Sequence, residues 1–379
     1  MKTIYLDYAA TTPVDPRVIE AMLSALGSDG DFANPASRHR LGQSARQRIE
    51  HARSQVAGLI GADPREILFT SGATEANNLA LKGLAARHEG GHILSTAIEH
   101  SSVLDVCDVL ATQGHATTRV RPDAQGRVSP EAIAAALRPD TAVVSVMHAN
   151  NETGVINDIA AIAELCQTHG VGLHVDAAQS AGVLALDVQA VPIDLMSISA
   201  HKLYGPKGIG ALYLRRRADL TLEPQMHGGG HERGLRSGTL ATHQIAGFGA
   251  ACALASQQAA HDALRIAALR DRLQTGIVAL GGVQVHGAHP RLPGHLNIGF
   301  HGVRGESLLL ALDGLAVSQG SACHAASMRP SHVLEAMGVS AELARASLRF
   351  SLGRFTTDAE VDACLERLAH VLPALRSRN

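Results

Sequence analysis

The sequence predicts an α/β fold in which helices cover both faces of a mainly parallel sheet, with a smaller α+β domain beside it. Compact apolar runs of strand length alternate with amphipathic helical patterns through the first two thirds of the chain. After about residue 255, a long helical stretch leads into fewer strands. Because 379 residues exceed the usual size of one core, we predict two domains. The large domain takes residues 13–255, and the small domain takes residues 1–12 and 256–379.

Five apolar runs that end in small or polar residues indicate the buried strands of the parallel sheet. They are, in chain order, "EILFTSG", "GHILSTA", "AVVSVMHAN", "VGLHVDAA" and "IDLMSISA". Between them, "DIAAIAELCQTHG" shows helical apolar spacing, and "SPEAIAAAL" begins with Ser129 as N-cap and Pro130 at the first helical position. Ligands of open α/β sheets bind at the carboxyl ends of the strands, so we expect the site just after these runs.

The last third of the chain predicts one long helix, three strands and a final helix. The long helix is "QQAAHDALRIAALRDRLQTGIVAL", and the strands are "HLNIGF", "GLAVSQ" and "ASLRFSL". The final helix begins at the capping box formed by Thr357 and Glu360 and ends near Leu375. This mixture is typical of an α+β unit, which we expect the N-terminal segment to join.

Composition and charge are ordinary for an enzyme that is neither secreted nor embedded in a membrane. The formal net charge of −2, with 18% charged residues, gives no sign of a nucleic-acid or membrane surface. The opening residues "MKTIYLDYAATTP" lack the apolar run of a signal peptide, and no stretch approaches 18 apolar residues. We therefore expect neither nucleic acid nor membrane among the partners.

The five cysteines are odd in number and far apart, which argues against disulfides and against a zinc site built on cysteine pairs. A reducing cytoplasm fits this usage. Four of them lie in apolar helical patterns and are predicted to be buried. Cys323 differs, because "AVSQGSACHAASM" surrounds it with Gly, Ser and Ala and offers no apolar face.

A phosphate-binding turn is one interpretation of "FTSGATEANNLALKG". A strand ends at Thr70, and the Ser-Gly-Ala-Thr turn that follows exposes backbone N–H groups at a helix N-terminus. Thr74 adds a hydroxyl to this cup. A capped helix after a tight turn is the plain structural alternative.

Four further strand ends carry polar groups, each with an ordinary structural alternative. Asp176 ends a buried strand, where a carboxylate needs a cation or hydrogen-bond donors, although it would also serve as an N-cap. His100 follows a strand and would either stack on a bound ring or be an ordinary structural histidine. Asn151 follows a strand whose end is expected beside Asp176, although its Asn-Asn pair would also suit a simple turn. Lys202 follows a strand as a surface charge or as a Schiff-base lysine.

Taken together, these groups supply a phosphate cup, a carboxylate, an amine and a stacking ring at the strand ends of one sheet. That combination meets the needs of pyridoxal 5′-phosphate. Asp176 would keep the ring nitrogen protonated, so that the ring withdraws electrons from the substrate.

The sequence also resembles the long-loop class of cysteine desulfurases over nearly its whole length and in the same order. The resemblance is carried by "YLDYAATTPVDPRV", "NPASRHRLG", "FTSGATEANN", "MHANNETG", "HVDAAQS", "SAHKLYGPKGIGALY", "GGGHERGLRSGT" and "GSACHAASMRPSHVL". It implies a fold of type I among pyridoxal-phosphate enzymes, with a seven-stranded sheet in the large domain. It also implies removal of sulfur from L-cysteine, release of L-alanine, and transfer of the sulfur to an iron–sulfur scaffold or another acceptor protein.

Carried over residue by residue, the resemblance makes Lys202 the Schiff-base lysine, which then removes the Cα proton of the substrate. Asp176 pairs with the pyridine nitrogen, and Gln179 donates to the phenolate oxygen of the ring. His100 stacks on the ring and helps to move protons. Cys323 forms the persulfide, as a thiolate within reach of the cofactor cleft.

The resemblance also implies which residues bind the phosphate of the cofactor and the carboxylate of the substrate. The phosphate lies against Ala73, Thr74, Ser199 and His201, and Thr239 reaches it from the neighbouring subunit of a homodimer. Asn151 borders the cofactor, and with Arg349 it binds the substrate carboxylate, for which an arginine fork is suited.

Several alternatives stay open at this point. His227, His231 and Glu232 contain metal-ligating atoms, but a Gly-rich loop fixes no coordination geometry, so no metal is predicted. Aminotransferases and selenocysteine lyases share the cofactor scaffold, and a sulfur-relay protein would use Cys323 alone. Gln319 and His324 depart from the common pattern of the family, and the sequence leaves open which acceptor takes the sulfur and in which pathway.

Overall fold

The computed structural model describes residues 3–320 and 330–377, and every structural statement below concerns these residues. Its strands, in chain order, are β1 (Ile4–Tyr5), β2 (Ile67–Thr70), β3 (His92–Thr96), β4 (Thr117–Val120), β5 (Thr141–Met147), β6 (Gly172–Asp176), β7 (Leu195–Ser199), β8 (Gly210–Leu214), β9 (Val283–His286), β10 (His295–Phe300), β11 (Leu315–Ala316) and β12 (Ser347–Ser351).

The α-helices of the described residues alternate with the strands from β2 to β6, as predicted. They are α1 (Pro16–Leu23), α2 (Arg40–Leu59), α3 (Ala73–Ala85), α4 (Ser101–Thr112), α5 (Pro130–Ala136), α6 (Ile159–His169), α7 (Thr242–Ala279), α8 (Gly305–Ala311), α9 (His332–Ala336), α10 (Ala341–Arg345) and α11 (Asp358–Arg376). Among these residues, no strand separates α1 from α2, and no α-helix separates β6, β7 and β8. The predicted caps are present: Ser129 accepts from the backbone of Ala132 at α5, and Thr357 with Glu360 forms a capping box at α11.

A seven-stranded sheet forms the centre, in the order β2-β8-β7-β6-β5-β3-β4. The five neighbouring strands β4, β3, β5, β6 and β7 each pair in parallel with the next, whereas β8 runs antiparallel to both β7 and β2. The predicted mainly parallel sheet and its five buried strands are confirmed. Edge strand β4 escaped prediction because "TTRV" is half exposed and lacks an apolar run.

Helices pack on both faces of this sheet because neighbouring residues of a strand point to opposite sides. Phe69 of β2 packs into a core with residues of α2 and α7, including Phe248, whose ring lies 6.4 Å from its own. The adjacent Leu68 packs into another core with residues of α3 and α4, such as Leu79 and Val103. The predicted α/β architecture is therefore confirmed.

The last third of the chain has a core of its own around an antiparallel sheet in which β10 lies between β9 and β12. Leu6 joins this core, and β1 pairs in parallel with β11. Helix α7 is continuous across residue 255: Phe248 lies in the large core, whereas Leu273 lies in the small one. The domain bounds stay a prediction, and one helix serves both cores.

The four cysteines in apolar helical patterns, Cys107, Cys166, Cys252 and Cys364, are all buried, as predicted. Burial raises the pKa of the Cys107 thiol to about 11, which makes it unreactive at neutral pH. Among the described helices, none combines the length and the apolar character needed to span a bilayer.

Candidate active site

The N-terminal segment 7–12 crosses the carboxyl ends of the sheet and contacts the predicted lysine. Lys202 lies in the 3-10 turn that directly follows β7, and its Nζ donates to the carbonyl oxygens of Ala9 and Ala10, the latter at 2.8 Å. Gln179 also donates to the Ala9 carbonyl, at 3.0 Å. The lysine and the glutamine, 23 positions apart in sequence, are thus brought to one backbone carbonyl.

His201 is fixed by the same segment. Its Nδ1 lies 3.1 Å from the hydroxyl of Thr11, and its carbonyl accepts from both the backbone and the hydroxyl of Thr12, each at 2.9 Å. Burial, followed by the nearby positive charges of Lys202 and Lys207, lowers the pKa of His201 to about 4. A neutral imidazole is therefore the form present at neutral pH.

Asp176 ends β6, and its carboxylate is 5% exposed. Oδ1 accepts from the backbone N–H of Ala178 at 2.9 Å, and Oδ2 accepts from the side-chain amide of Asn77 at 2.8 Å. The hydrogen bond to Ala178 is the local turn that the N-cap alternative anticipated, but no helix follows within the next residues. The hydrogen bond from α3 fixes the second oxygen.

His100 caps α4 and is linked to the same asparagine. Its Nδ1 accepts from the backbone N–H of Ser102 at 3.1 Å and lies 2.8 Å from the Ser102 hydroxyl. The amide of Asn77 donates to that hydroxyl oxygen at 2.8 Å. His100 and Asp176 are therefore joined by hydrogen bonds through two intervening side chains.

The N-terminus of α3 has the form expected of a phosphate cup. Gly72, with φ of +152°, is the N-cap residue of α3 and has no side chain to accept a hydrogen bond. The first backbone N–H groups of the helix, at Ala73 and Thr74, are therefore not capped by the N-cap residue. A Cβ at Gly72 would stand 3.8 Å from the Ser199 hydroxyl, which places the end of β7 against the turn. A Cβ at Gly210 would lie 2.7 Å from the Cα of Gly72, so β8 needs a glycine there.

Arg349, in β12, is 1% exposed. Its Nη1 donates to the carbonyl oxygen of Asn151 at 2.8 Å, and its Nη2 donates to Asp7 Oδ1 at 2.8 Å. Nε has no hydrogen-bond partner among the described residues. The structure thus brings the two predicted carboxylate-binding residues into contact and adds Asp7.

Cys323 lies outside the described residues, but the chain on both sides of it is anchored at the site. Before it, Ser318 donates to Asp7 Oδ2 at 2.9 Å. After it, Ser331 donates to Glu152 Oε2, and His332 Nε2 lies 3.0 Å from the Glu99 carbonyl. The chain on either side of residues 321–329 therefore reaches groups adjacent to Arg349, Asn151 and His100.

The Gly-rich loop is held by a buried ion pair and by a hydrogen bond from the backbone of Gly238 to His231 Nδ1 at 3.3 Å. Both carboxylate oxygens of Glu232 accept from Arg53 at 2.8 Å, and one also accepts from the backbone of Phe69 at 2.7 Å. Within residues 3–320 and 330–377, no group of three metal-ligating side chains is brought together. Thr239, farther along this loop, is exposed, and its role toward a second subunit stays a prediction.

Sequence reasoning missed several residues that complete the site, although it quoted their motifs. Asp7, Asn77, Ser102 and Glu152 lie in or beside the segments "YLDYAATTP", "TSGATEANN", "EHSSV" and "MHANNETG". Residues placed directly after strands are recognisable as candidates in the sequence, whereas these residues reach the site from a crossing segment or from inside a helix. The detectable indication was a polar residue in an otherwise apolar helix face, as at Asn77.

Comparison with known proteins gives one consistent result. The sequence model of the family described as "Aminotransferase class-V" matches residues 4–364 of this chain. Cysteine desulfurase IscS of Shewanella sp. (strain ANA-3) is 56% identical over 378 residues, covering 98% of this chain and 93% of the relative. A solved NifS-like protein matches with a TM-score of 0.92 at 35% identity, covering 98% of this chain and 100% of that chain. A structure of SspA in complex with cysteine matches with a TM-score of 0.82 at 39% identity, covering 94% of this chain and 100% of that chain. The chain therefore belongs to the aminotransferase class-V family and, within it, to the cysteine desulfurases.

Proposed function

We propose that the chain removes the sulfur of L-cysteine, releases L-alanine and keeps the sulfur as a persulfide on Cys323. The observation that carries this proposal is that Lys202, which follows β7 of the large sheet, and Arg349, in β12 of the small sheet, contact the same N-terminal segment. Lys202 is held by the segment 7–12, which also supplies Asp7 to Arg349, so the segment joins the lysine to the arginine.

The described residues fit pyridoxal 5′-phosphate. The N-terminus of α3 offers backbone N–H groups that no N-cap side chain occupies, and the Ser199 hydroxyl lies close to this turn. The buried Asp176 carboxylate, already bonded by two donors, suits a partner of a protonated ring nitrogen. When bound, the cofactor withdraws electrons from the substrate carbons and so weakens the bond between Cβ and sulfur.

Lys202 has two tasks in this proposal: it holds the cofactor covalently and later moves the Cα proton of the substrate. Carbonyl oxygens of Ala9 and Ala10 accept from its Nζ, so the amine has a defined resting position when it is not bonded to the cofactor. Both carbonyls belong to a segment pinned at His201 and Arg349. The position of the proton-transferring nitrogen is therefore set by the backbone.

Arg349 and Asn151 orient the substrate by its carboxylate. The planar guanidinium is fixed at Nη1 by the Asn151 carbonyl, while Nε is buried without a partner among the described residues. A substrate carboxylate would satisfy such a donor. The Cys323 sulfur then bonds to the substrate sulfur as the bond between that sulfur and Cβ breaks, which leaves alanine after proton uptake.

Three further features belong to the proposal. Thr239 of one subunit reaches the phosphate of the other in a homodimer, an arrangement supported by its exposure at the end of the ordered Gly-rich loop. The persulfide sulfur passes to an acceptor protein, such as an iron–sulfur scaffold. The reaction takes place in the cytoplasm, which is supported by the wide spacing of the cysteines.

The test is to incubate the enzyme, loaded with pyridoxal phosphate, with L-cysteine and a thiol reductant. We expect equal amounts of alanine and sulfide. Parallel reactions with selenocysteine and with an amino acid plus a keto acid test the selenocysteine lyase and aminotransferase alternatives. Amino-group transfer to the keto acid without sulfide release would overturn the proposal. Incubation with sulfur-labelled cysteine and candidate acceptor proteins then identifies the acceptor.

A further inference from the structure

The side-chain nitrogen of Asn77 connects one strand of the large sheet with two of the helices that pack on it. It donates to Asp176 Oδ2, at the end of β6, and to Ser102 Oγ, in α4, both at 2.8 Å. Asn77 itself lies in α3 and is 0% exposed. One buried amide thus ties the helix of the phosphate turn to the strand that carries the ring carboxylate.

The orientation of this amide follows from the chemistry of its neighbours. Carboxylate oxygens accept hydrogen bonds from amide N–H groups, and the NH₂ group of Asn77, not its oxygen, faces Asp176 Oδ2. The second amide hydrogen points to Ser102 Oγ. Asn77 Oδ1 is left without a hydrogen-bond partner among the described residues.

Ser102 extends the same line to His100. Its backbone N–H donates to His100 Nδ1, so that nitrogen carries a lone pair, and the neutral ring carries its proton on Nε2. Because Ser102 Oγ already accepts from Asn77, its hydroxyl hydrogen is available to His100 Nδ1, 2.8 Å away. The hydrogen bonds therefore leave the Nδ1 lone pair of His100 facing Ser102 and connect it, through Ser102 and Asn77, to Asp176 Oδ2.

An asparagine is a poor choice at this position if stability alone is considered. It has low helix propensity, and its buried carbonyl oxygen is unsatisfied, which costs free energy. Its helix neighbours Ala76, Leu79 and Ala80 are all buried apolar residues. A function of the amide explains a residue that helix packing disfavours.

We propose that Asn77 is a positioning residue: it aims the Asp176 carboxylate at the pyridine nitrogen of the cofactor. The inference rests on the proposed function and adds a role that the family resemblance does not assign. With Ala178 on Oδ1 and Asn77 on Oδ2, both oxygens of Asp176 are fixed. A carboxylate held in this orientation accepts the N–H of the ring, and a negative charge beside the ring nitrogen favours its protonated form.

The experiment measures the protonation of the ring nitrogen directly, with pyridoxal phosphate labelled with nitrogen-15 in the ring. Its chemical shift and its dissociation constant are compared in wild type, Asn77→Ala and Asn77→Leu. Leucine fills the volume of the asparagine without donating, so the result does not depend on a cavity. Asp176→Ala, which lacks the carboxylate, provides the chemical shift expected of an unprotonated ring nitrogen.

Asn157→Ala is the matched control, since Asn157 is also buried but bonds the backbone of Met147 and Val128. We expect wild type and Asn157→Ala to show a protonated ring nitrogen. Both Asn77 variants should shift toward Asp176→Ala and bind the cofactor about tenfold more weakly, the loss of one hydrogen bond to a charged group.

A wild-type nitrogen shift in either folded Asn77 variant would overturn the positioning role, even if cysteine turnover fell. A shift of the same size in Asn157→Ala would also overturn it, because any buried asparagine would then suffice. Failure of the wild-type enzyme to bind the cofactor would instead refute the proposed function, and this inference with it. The two failures are distinguished by the wild-type spectrum alone.

Discussion

Arg349 donates to Asp7 Oδ1 at 2.8 Å across 342 positions of sequence, and the other oxygen of Asp7 accepts from Ser318. The predicted substrate-binding arginine is therefore already paired with a carboxylate of the chain itself. The same aspartate holds the chain that leads toward Cys323. Since the guanidinium is 1% exposed, this pair is weakly screened by solvent.

Arg349→Lys should raise KM for L-cysteine by about tenfold or more, because lysine cannot form the fork that binds a carboxylate at two nitrogens. Steady-state kinetics with cysteine measures the change. Arg272→Lys, on an exposed pair with Asp358, is the control and should leave KM unaltered. Asp7→Asn should lower KM instead, since it removes a negative charge from the site of the substrate carboxylate. A lowered KM in Arg349→Lys would show that Arg349 does not bind the substrate carboxylate.

Lys202→Ala should abolish turnover and the visible absorbance that depends on a covalent bond between cofactor and protein. Cys323→Ala should abolish turnover but keep that absorbance. The two variants therefore separate cofactor attachment from sulfur transfer. Absorbance spectra before and after borohydride treatment provide the measurement, and an unchanged, borohydride-sensitive colour in Lys202→Ala would show that another lysine is bonded.

Glu232→Gln should lower the free energy of unfolding by about 3 kcal/mol, because the buried Arg53 then keeps only the half-exposed carboxylate of Glu50 as a charged partner. Arg53 and Glu232 have side-chain exposures of 9% and 2%. Arg87→Ala is the matched control: its pair with Glu223 is roughly half exposed on both sides and should change stability by less than about 1 kcal/mol. Denaturant unfolding compares the two variants, and equal losses would contradict the importance of burial.

Buried histidines should make the protein less stable in mild acid. Burial lowers the pKa of His174 and His286 to about 4, below the value near 6.5 of an unfolded chain. Between these values the unfolded chain binds protons that the folded chain does not. The resulting stability is complete above about pH 6.5 and is lost as the pH falls toward 4.

His286→Gln tests this dependence away from the site, where His286 Nε2 contacts Ser347 Oγ at 3.1 Å. Wild type should lose about 1 kcal/mol per pH unit to this group between pH 6.5 and 5, and the variant should lose correspondingly less. His261→Gln, whose side chain is 83% exposed, should retain the wild-type dependence. Unfolding curves at several pH values decide, and identical slopes in all three proteins would contradict the prediction.

Local patterns were sufficient for most elements of the fold. The five buried strands were predictable because each is a short apolar run, and α5 and α11 because their caps are sequence-local. Strand β4 was missed because it is half exposed, and the start of α7 because its first residues continue the apolar character of the large core. No side chain of the described residues caps the N-terminus of α7, and the residues of its first turns are buried in the large core beside α2 and α1.

The sequence by itself determined the family, the order of strands and helices, and the chemical types at the strand ends, because these depend on spacing and residue identity. Only the tertiary structure decided that segment 7–12 joins Lys202, Gln179 and Arg349, and that Asn77 lies between Asp176 and Ser102. These contacts link residues up to 342 positions apart. Hydrogen bonds of that range are set by how the sheet, its helices and the crossing segment pack, and no local pattern encodes that packing.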